Sequence, residues 1–307
     1  MTAAAALPSG LHVFERGWLS SNNVLFEGAS GTVLVDTGYV THAAQTVGLV
    51  QSVLGPRSLD RVLNTHLHSD HCGGNALLQA IYPDLVTAIP SADAAAARNW
   101  DEDVLSYRAT GQECPQFRFD ELLEPGRDVL LGDMRWQVHA APGHDPHAVV
   151  LFEPSKRILI SADALWEHGF GVVFPELVGE PSFEEVAATL DLIESLQPTV
   201  VIPGHGRIFE DVHGALRASR SRLSAFVQSP QRHARHALKV LIKFKLLAVQ
   251  SLSLLAYNDW LVAMPYATLV RDRFFPDLTL TELGAELASE LVRANAARQM
   301  DGILLDA

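Results

Sequence analysis

Cysteine is nearly missing from this 307-residue chain: Cys72 and Cys114 are the only two, too few for the disulfide framework of a small secreted protein. A reducing compartment is the simpler reading. Basic charge is also scarce. Lys and Arg total 23 against 36 Asp and Glu, a formal net charge of −13, so summed repulsion opposes encounters with polyanions unless a local basic patch overrides it. Nucleic acid is therefore disfavoured as a partner. No stretch supplies the ~20 nearly uninterrupted apolar residues of a membrane-spanning helix. The most apolar late segment, 237–257, is broken by Lys239, Lys243, Lys245 and Gln250 and reads as a buried or interface helix. The opening MTAAAALPSG has neither a basic leader nor a long hydrophobic run, and reads as a frayed terminus rather than an export signal. These absences predict a cytoplasmic protein with a small-molecule substrate and no membrane partner.

What the chain does have is apolar residues, 48% of the total, enough for one large domain or a large domain with a small appendage. VLFEG and TVLVDTG flank the turn Gly28-Ala29-Ser30-Gly31 and predict a hairpin. Helical spacing through Val47, Val50 and Val53 stops at Gly55-Pro56, and RVLNT follows as a strand. A helix over Asn75–Ile81 precedes the run LVTAIP. A second strand-forming block holds LLGDMRWQVHAA, AVVLFE and RILISAD. Ser182 to Gln197 opens with Ser, has Glu185 three positions on and places Val186, Leu190 and Ile193 on one face, which predicts a capped amphipathic helix. Two strand blocks with interspersed helices predict an α/β fold of two packed sheets with helices outside. Beyond about Gln228 the pattern turns helical, so 1–227 is expected to be the catalytic domain and 228–307 a small C-terminal helical subdomain, whose apolar tail helix leaves room for homo-oligomer formation.

The chemistry concentrates in Thr65-His66-Leu67-His68-Ser69-Asp70-His71-Cys72-Gly73-Gly74, directly after the strand RVLN. Four candidate ligands at the carboxyl end of a strand sit where an irregular loop can aim them at one point. Neutral imidazole and carboxylate suit zinc, and also iron or manganese. Histidines two apart on extended chain share a side, while Asp70 and His71 diverge; the split favours two metal ions over one. Three more segments each offer one candidate after a strand: His144 in APGHDPH, Asp163 in ILISADAL and His205 in VVIPGHG. Singly, each is more often a turn or core residue; their repeated geometry shifts the reading toward ligation.

The order THLHSDHCGG, PGH, SAD, PGHG, with VDTG before them, resembles the metallo-β-lactamase superfamily over roughly Leu11 to Asp211. The resemblance implies an αββα sandwich, with His66, His68 and His144 on one metal, Asp70, His71 and His205 on the other, Asp163 between both, and Asp36 orienting the metal-bearing loops. Two divalent ions, two carboxylates and a bridging hydroxide would leave a net charge of about +1, which favours an anionic transition state. A water shared by two ions ionises near neutral pH and attacks while one ion polarises the substrate oxygen; Asp70 is expected to orient that water.

The complete ligand set with a helical tail most resembles the hydroxyacylglutathione hydrolase group. It implies a binuclear hydrolase acting on a thioester, ester or lactone. A phosphodiesterase or ribonuclease, or a single-iron persulfide dioxygenase, are the alternatives. Ala162 stands where the glutathione thioesterases have glycine. Members that hydrolyse β-lactams generally lack an aspartate like Asp163, which counts against that activity.

Other residues have two readings each. Cys72 is a small buried thiol rather than a further ligand. His147 either contacts substrate or packs on the following strand. Trp166 and His168, on the glycine-broken segment after Asp163, border the substrate groove or serve ordinary loop packing. The aperiodic segment Asn99–Arg127 is a lid over the metals or surface padding.

Overall fold

The computed structural model describes residues 7–307; the reading of the first residues as a frayed terminus falls partly outside them. Strands β1 (Leu11–Phe14), β2 (Asn23–Gly28), β3 (Gly31–Val35), β4 (Arg61–Leu63), β5 (Val86–Pro90) and β6 (Glu121–Leu123) form one sheet in sequence order, antiparallel up to β3 and parallel beyond it. Strands β7 (Asp128–Leu131), β8 (Met134–Ala140), β9 (Val149–Glu153), β10 (Ile158–Ala162) and β11 (Val200–Pro203) form a second in the order 11-10-9-8-7, with only β10 and β11 parallel.

Alternation along the strands explains the layering. On β2, Val24 and Phe26 join Leu63, Trp136, Leu151 and Ile160 in the cluster between the sheets, while Leu25 faces the other way onto Val47, Val50 and Leu54 of helix Ala43–Leu54. Period-2 chains with apolar residues on both faces need cover on both. The second sheet turns Val150, Phe152 and Leu159 outward onto helices Ser182–Leu196 and Val212–Gln228. The result is an αββα sandwich, as the sequence predicts.

One local expectation fails. Helix Ser182–Leu196 starts a residue earlier than the capping-box pattern requires, and the Ser182 hydroxyl is buried without a partner among the described residues. Its first turn is capped by Glu176 instead, whose carboxylate accepts from the Phe183 amide at 2.9 Å.

The C-terminal region holds helices Pro230–Val249, Leu254–Ala263, Pro265–Phe274 and Leu280–Arg293 around an apolar cluster that also takes in Val172 and Leu177 from the preceding region. Segment 237–257 is thus not one helix. It passes through β12 (Ser251–Ser253), which joins β13 (Ala297–Met300) and β14 (Ile303–Asp306) in a small sheet that the helical pattern does not predict. Lys239 and Lys243 are committed to Glu290 and Asp306. Among the described residues no helix is long and apolar enough to cross a membrane.

His233 is fully buried against Phe183 and Phe226, and neither ring nitrogen has a hydrogen-bond partner among the described residues. Burial pushes its pKa down to about 4. The native ring stays neutral while the unfolded chain takes a proton near 6.5, so stability present above pH 6.5 drains away as pH falls toward 4, by up to about 3 kcal/mol. His233→Leu should raise the denaturant midpoint and flatten its dependence on pH between 6.5 and 4. An unchanged acid limb would remove His233 as the cause.

Candidate metal centre

All seven candidate ligands follow strand ends. His66, His68, Asp70 and His71 lie after β4 on a loop that closes into the helical turn Ser69–Cys72; His144 follows β8, Asp163 follows β10 directly and His205 follows β11. Close backbone approach is needed at Gly204, where a Cβ would overlap Asp163 Oδ1 and lie 3.0 Å from His71 Cε1. Only glycine lets the β11 loop pass beneath the site.

The structure brings the seven together as three overlapping groups: His66, His68 and His144; His66, His71 and Asp163; Asp70, His71 and His205. Within each, the ligand atoms lie within 4.8 Å of one another. Asp163 sits centrally, with Oδ1 3.4 Å from His71 Nε2 and Oδ2 3.4 Å from His144 Nε2 and 3.8 Å from His205 Nε2. Asp70 Oδ2 is 3.1 Å from His205 Nε2. His68 Nδ1 and His144 Nε2 are 2.8 Å apart, a spacing at which two nitrogen lone pairs repel unless a proton or cation lies between them. Among the described residues, Nε2 of His66 and of His71 are buried with no hydrogen-bond partner. Orphaned inward-facing nitrogens beside two carboxylates fit a divalent cation of the zinc, iron or manganese kind.

Outer contacts fix the rings. Asp36 Oδ2 accepts from His71 Nδ1 at 2.8 Å and from Thr65 Oγ1 at 2.8 Å, and Oδ1 accepts from the Thr65 amide at 2.9 Å. His144 Nδ1 donates to the Val172 carbonyl at 2.5 Å, and Asp145 Oδ2 stands 3.6 Å from His68 Nε2. Each such partner on one ring nitrogen leaves the other free for a metal. Burial pushes the His66 pKa well below the ordinary range, with His71 and His68 adding to it. It takes His144 down to about 4. His71 goes the other way. Burial opposes its charge, yet the carboxylates of Asp163, Asp36 and Asp70 together hold its pKa well above the usual value. Burial likewise acts to raise Asp163, but His205 and His71 outweigh it and keep this carboxyl well below its usual range.

The cluster opens into a cavity of about 410 Å³, lined by Trp18 and Trp166 and by Val240, Leu241 and Phe244 of helix Pro230–Val249. Trp166 Nε1 donates to Asp163 Oδ1 at 3.2 Å. His168 lies at the rim with its side chain 86% exposed. His147 is outside the cluster: it pairs with Asp93 at 2.7 Å and lines a second cavity. Cys72 joins no ligand group and points at the Leu67 and His68 carbonyls. Within Asn99–Arg127, Tyr107 is buried and donates to the Leu67 carbonyl at 2.8 Å, while Ser106, Thr110 and Gln112 line the cavity. That segment packs on the ligand loop. Sequence reasoning missed Trp18, which stacks on the His205 ring at 5.5 Å, and Asp145, whose position beside His144 was a usable signal. It also missed Arg222, for which no local signal exists.

Comparison with known proteins agrees. The acyl-coenzyme A thioesterase MBLAC2 of Gallus gallus is 27% identical over 229 residues, covering 66% of this chain and 80% of that one. A hydroxyacylglutathione hydrolase of Brucella anthropi is 26% identical over 152 residues, 50% and 46% of the two chains. Among solved structures, the metallo-beta-lactamase family protein TTHA1429 of Thermus thermophilus covers 98% of this chain and is itself covered in full, at a TM-score of 0.58 and 18% identity. TTHA1623 in a di-iron-bound form matches at 0.54 with 28% identity, covering 68% of this chain and 98% of that one. The family model of the Metallo-beta-lactamase superfamily matches residues 16–205, the stretch that carries every one of the seven clustered side chains, and the chain belongs to that superfamily.

Proposed function

We propose that this protein is a hydrolase with two divalent metal ions that cleaves a thioester, ester or lactone, thioesters foremost. The observation that carries the reading is the convergence of seven side chains, with orphaned ring nitrogens turned inward, at the floor of a largely apolar cavity. His66, His68 and His144 would hold one ion, Asp70, His71 and His205 the other, and Asp163 both. When bound, the ions lower the pKa of a water and polarise the substrate carbonyl. Asp70 orients the attacking water through Oδ1, the oxygen turned away from His205. Trp18 and Trp166 line the cavity beside the cluster, and residues 228–307, as a helical subdomain, line it through Val240, Leu241 and Phe244. Two curated relatives bear the names of thioester hydrolases, and a solved relative holds two irons; both facts support the choice.

Metal removal tests it. Dialysis against a chelator should abolish turnover of an acyl thioester, and titration with zinc, iron or manganese should restore it with an end point at two ions per chain. A panel of thioesters, lactones and phosphodiesters read on the same protein names the class. Turnover of phosphodiesters alone, or oxygen consumption at one iron per chain without hydrolysis, would overturn the reading.

A further inference from the structure

Two cavities, not one, meet at the candidate centre. His68, His144, Ser106 and Phe174 border both the 410 Å³ cavity and a second of about 340 Å³ on their far side. They differ in the cations they offer: among the described residues Arg side chains line only the first. The second is edged by Asp93, Asp103, Asp145 and Glu180, of which Asp93 pairs with His147 at 2.7 Å and Asp103 with Arg108 at 2.9 Å, and its apolar lining includes Leu105, Tyr266 and Leu269. The first carries Arg207 and Arg222, and among the described residues the acids lining it are Glu167 and, from the cluster, Asp70 and Asp163.

Arg222 is the unusual group. It projects from helix Val212–Gln228, half-buried, with its guanidinium 5.9 Å from the centre of the Phe226 ring and lying across Gly169, where a Cβ would overlap Nη1. Among the described residues it makes no ion pair or hydrogen bond, whereas Arg220 on the same helix has Asp191 and Glu194 at 2.7 Å each. Burial, and after it Arg232, pushes the Arg222 pKa down. A cation drawn partly out of water with no counter-charge is costly unless a ligand supplies one. The planar guanidinium suits a carboxylate or phosphate.

We propose, resting on the hydrolase reading above, that the substrate is two-armed: an anionic arm lies in the first cavity against Arg222, and an uncharged apolar acyl arm lies in the second, with the scissile carbonyl at the His68 and His144 junction. An anion placed in the second cavity would meet Asp145 and Glu180, which pair with no Lys or Arg among the described residues, and no cationic Lys or Arg in the lining to offset them. The division of charge therefore fixes the direction in which the substrate lies.

The test uses the metal-loaded full chain and three thioesters with one acyl group, on coenzyme A, glutathione and N-acetylcysteamine, whose thiol arms carry phosphates, carboxylates and no net charge. Wild type should prefer one charged arm at least tenfold in kcat/KM, and which one names the anion. Arg222→Met should cut that ratio at least tenfold; Arg220→Met should not. The non-hydrolysable S-methyl thioether of the preferred thiol should lose affinity for the metal-free protein in Arg222→Met alone. Leu269→Trp should shift the acyl-length optimum to shorter chains. A preference for the neutral arm, equal ratios in the two arginine variants or an unmoved acyl optimum would overturn the proposal. No thioester turnover by wild type, with Arg222-dependent thioether binding intact, would instead sink the hydrolase reading and leave the anionic subsite standing.

Discussion

Asp163→Ala should lose both metal ions and at least about 10³-fold in kcat/KM, the upper end of what one oriented polar group contributes to a transition state, while its circular dichroism stays that of the parent. The expectation follows from where the carboxylate stands. It is 5% exposed at the end of β10, and its two oxygens face three imidazoles from three other segments. On the two-ion reading proposed above, divalent ions at these neighbouring ligand groups would repel each other, and the Asp163 charge would decide whether both stay. Alanine removes that charge and leaves Asp70 as the remaining carboxylate of the ligand groups. The fold should survive because the Asp163 side chain is tied outside the cluster only to Trp166, and the backbone bond from Gly171 to its carbonyl is unaffected. Metal analysis by atomic emission together with steady-state rates reads both effects. Retention of two ions, or of full activity, would remove Asp163 from the centre of the account.

The layered fold and the gathering of the seven side chains were legible because each rests on local signals. HxHxDH, PGH, SAD and PGHG all sit at strand ends, where a Pro-Gly or irregular turn frees a side chain from the sheet. Short β-branched runs about the Gly28–Gly31 turn likewise announced β2 and β3, and alternation announced β8. What was not legible depends on distant partners. The Glu176 cap on Phe183 competes with the box written into Ser182 and Glu185, and only the packing of helix Phe174–Val178 decides between them. The pairing of His147 with Asp93 joins positions 54 apart. β12 to β14 are three or four residues long, too short for a period of two to show against helical neighbours. Arg222 carries no local signal in the sequence; its partial burial against Gly169 and Phe226 depends on residues brought together by the fold.

Asp36→Asn should weaken metal binding roughly 10- to 100-fold, as loss of a ligand-orienting partner does, and cost about 1–3 kcal/mol of stability for the buried group left unpaired. The substitution keeps volume and backbone: Asp36 holds φ at +58°, a left-handed conformation that asparagine tolerates equally well. What changes is hydrogen-bond polarity. The carboxylate now accepts three bonds, from the Thr65 amide, Thr65 Oγ1 and His71 Nδ1. An amide nitrogen at Oδ1 would face the Thr65 N–H, donor to donor. At Oδ2 it would face His71 Nδ1–H, and the ring would escape by moving its proton to Nε2, the nitrogen that must be bare to hold a metal. Either way one partner is lost, and the second outcome spoils the ligand itself. Because all seven ligands remain, excess metal should restore most of the rate, which it should not do for Asp163→Ala. Competition with a chromogenic chelator measures the affinity, and a denaturant titration of the metal-free protein measures the stability. A variant that binds metal as tightly as the parent would show that the carboxylate at 36 holds the loop together without setting the tautomer of His71.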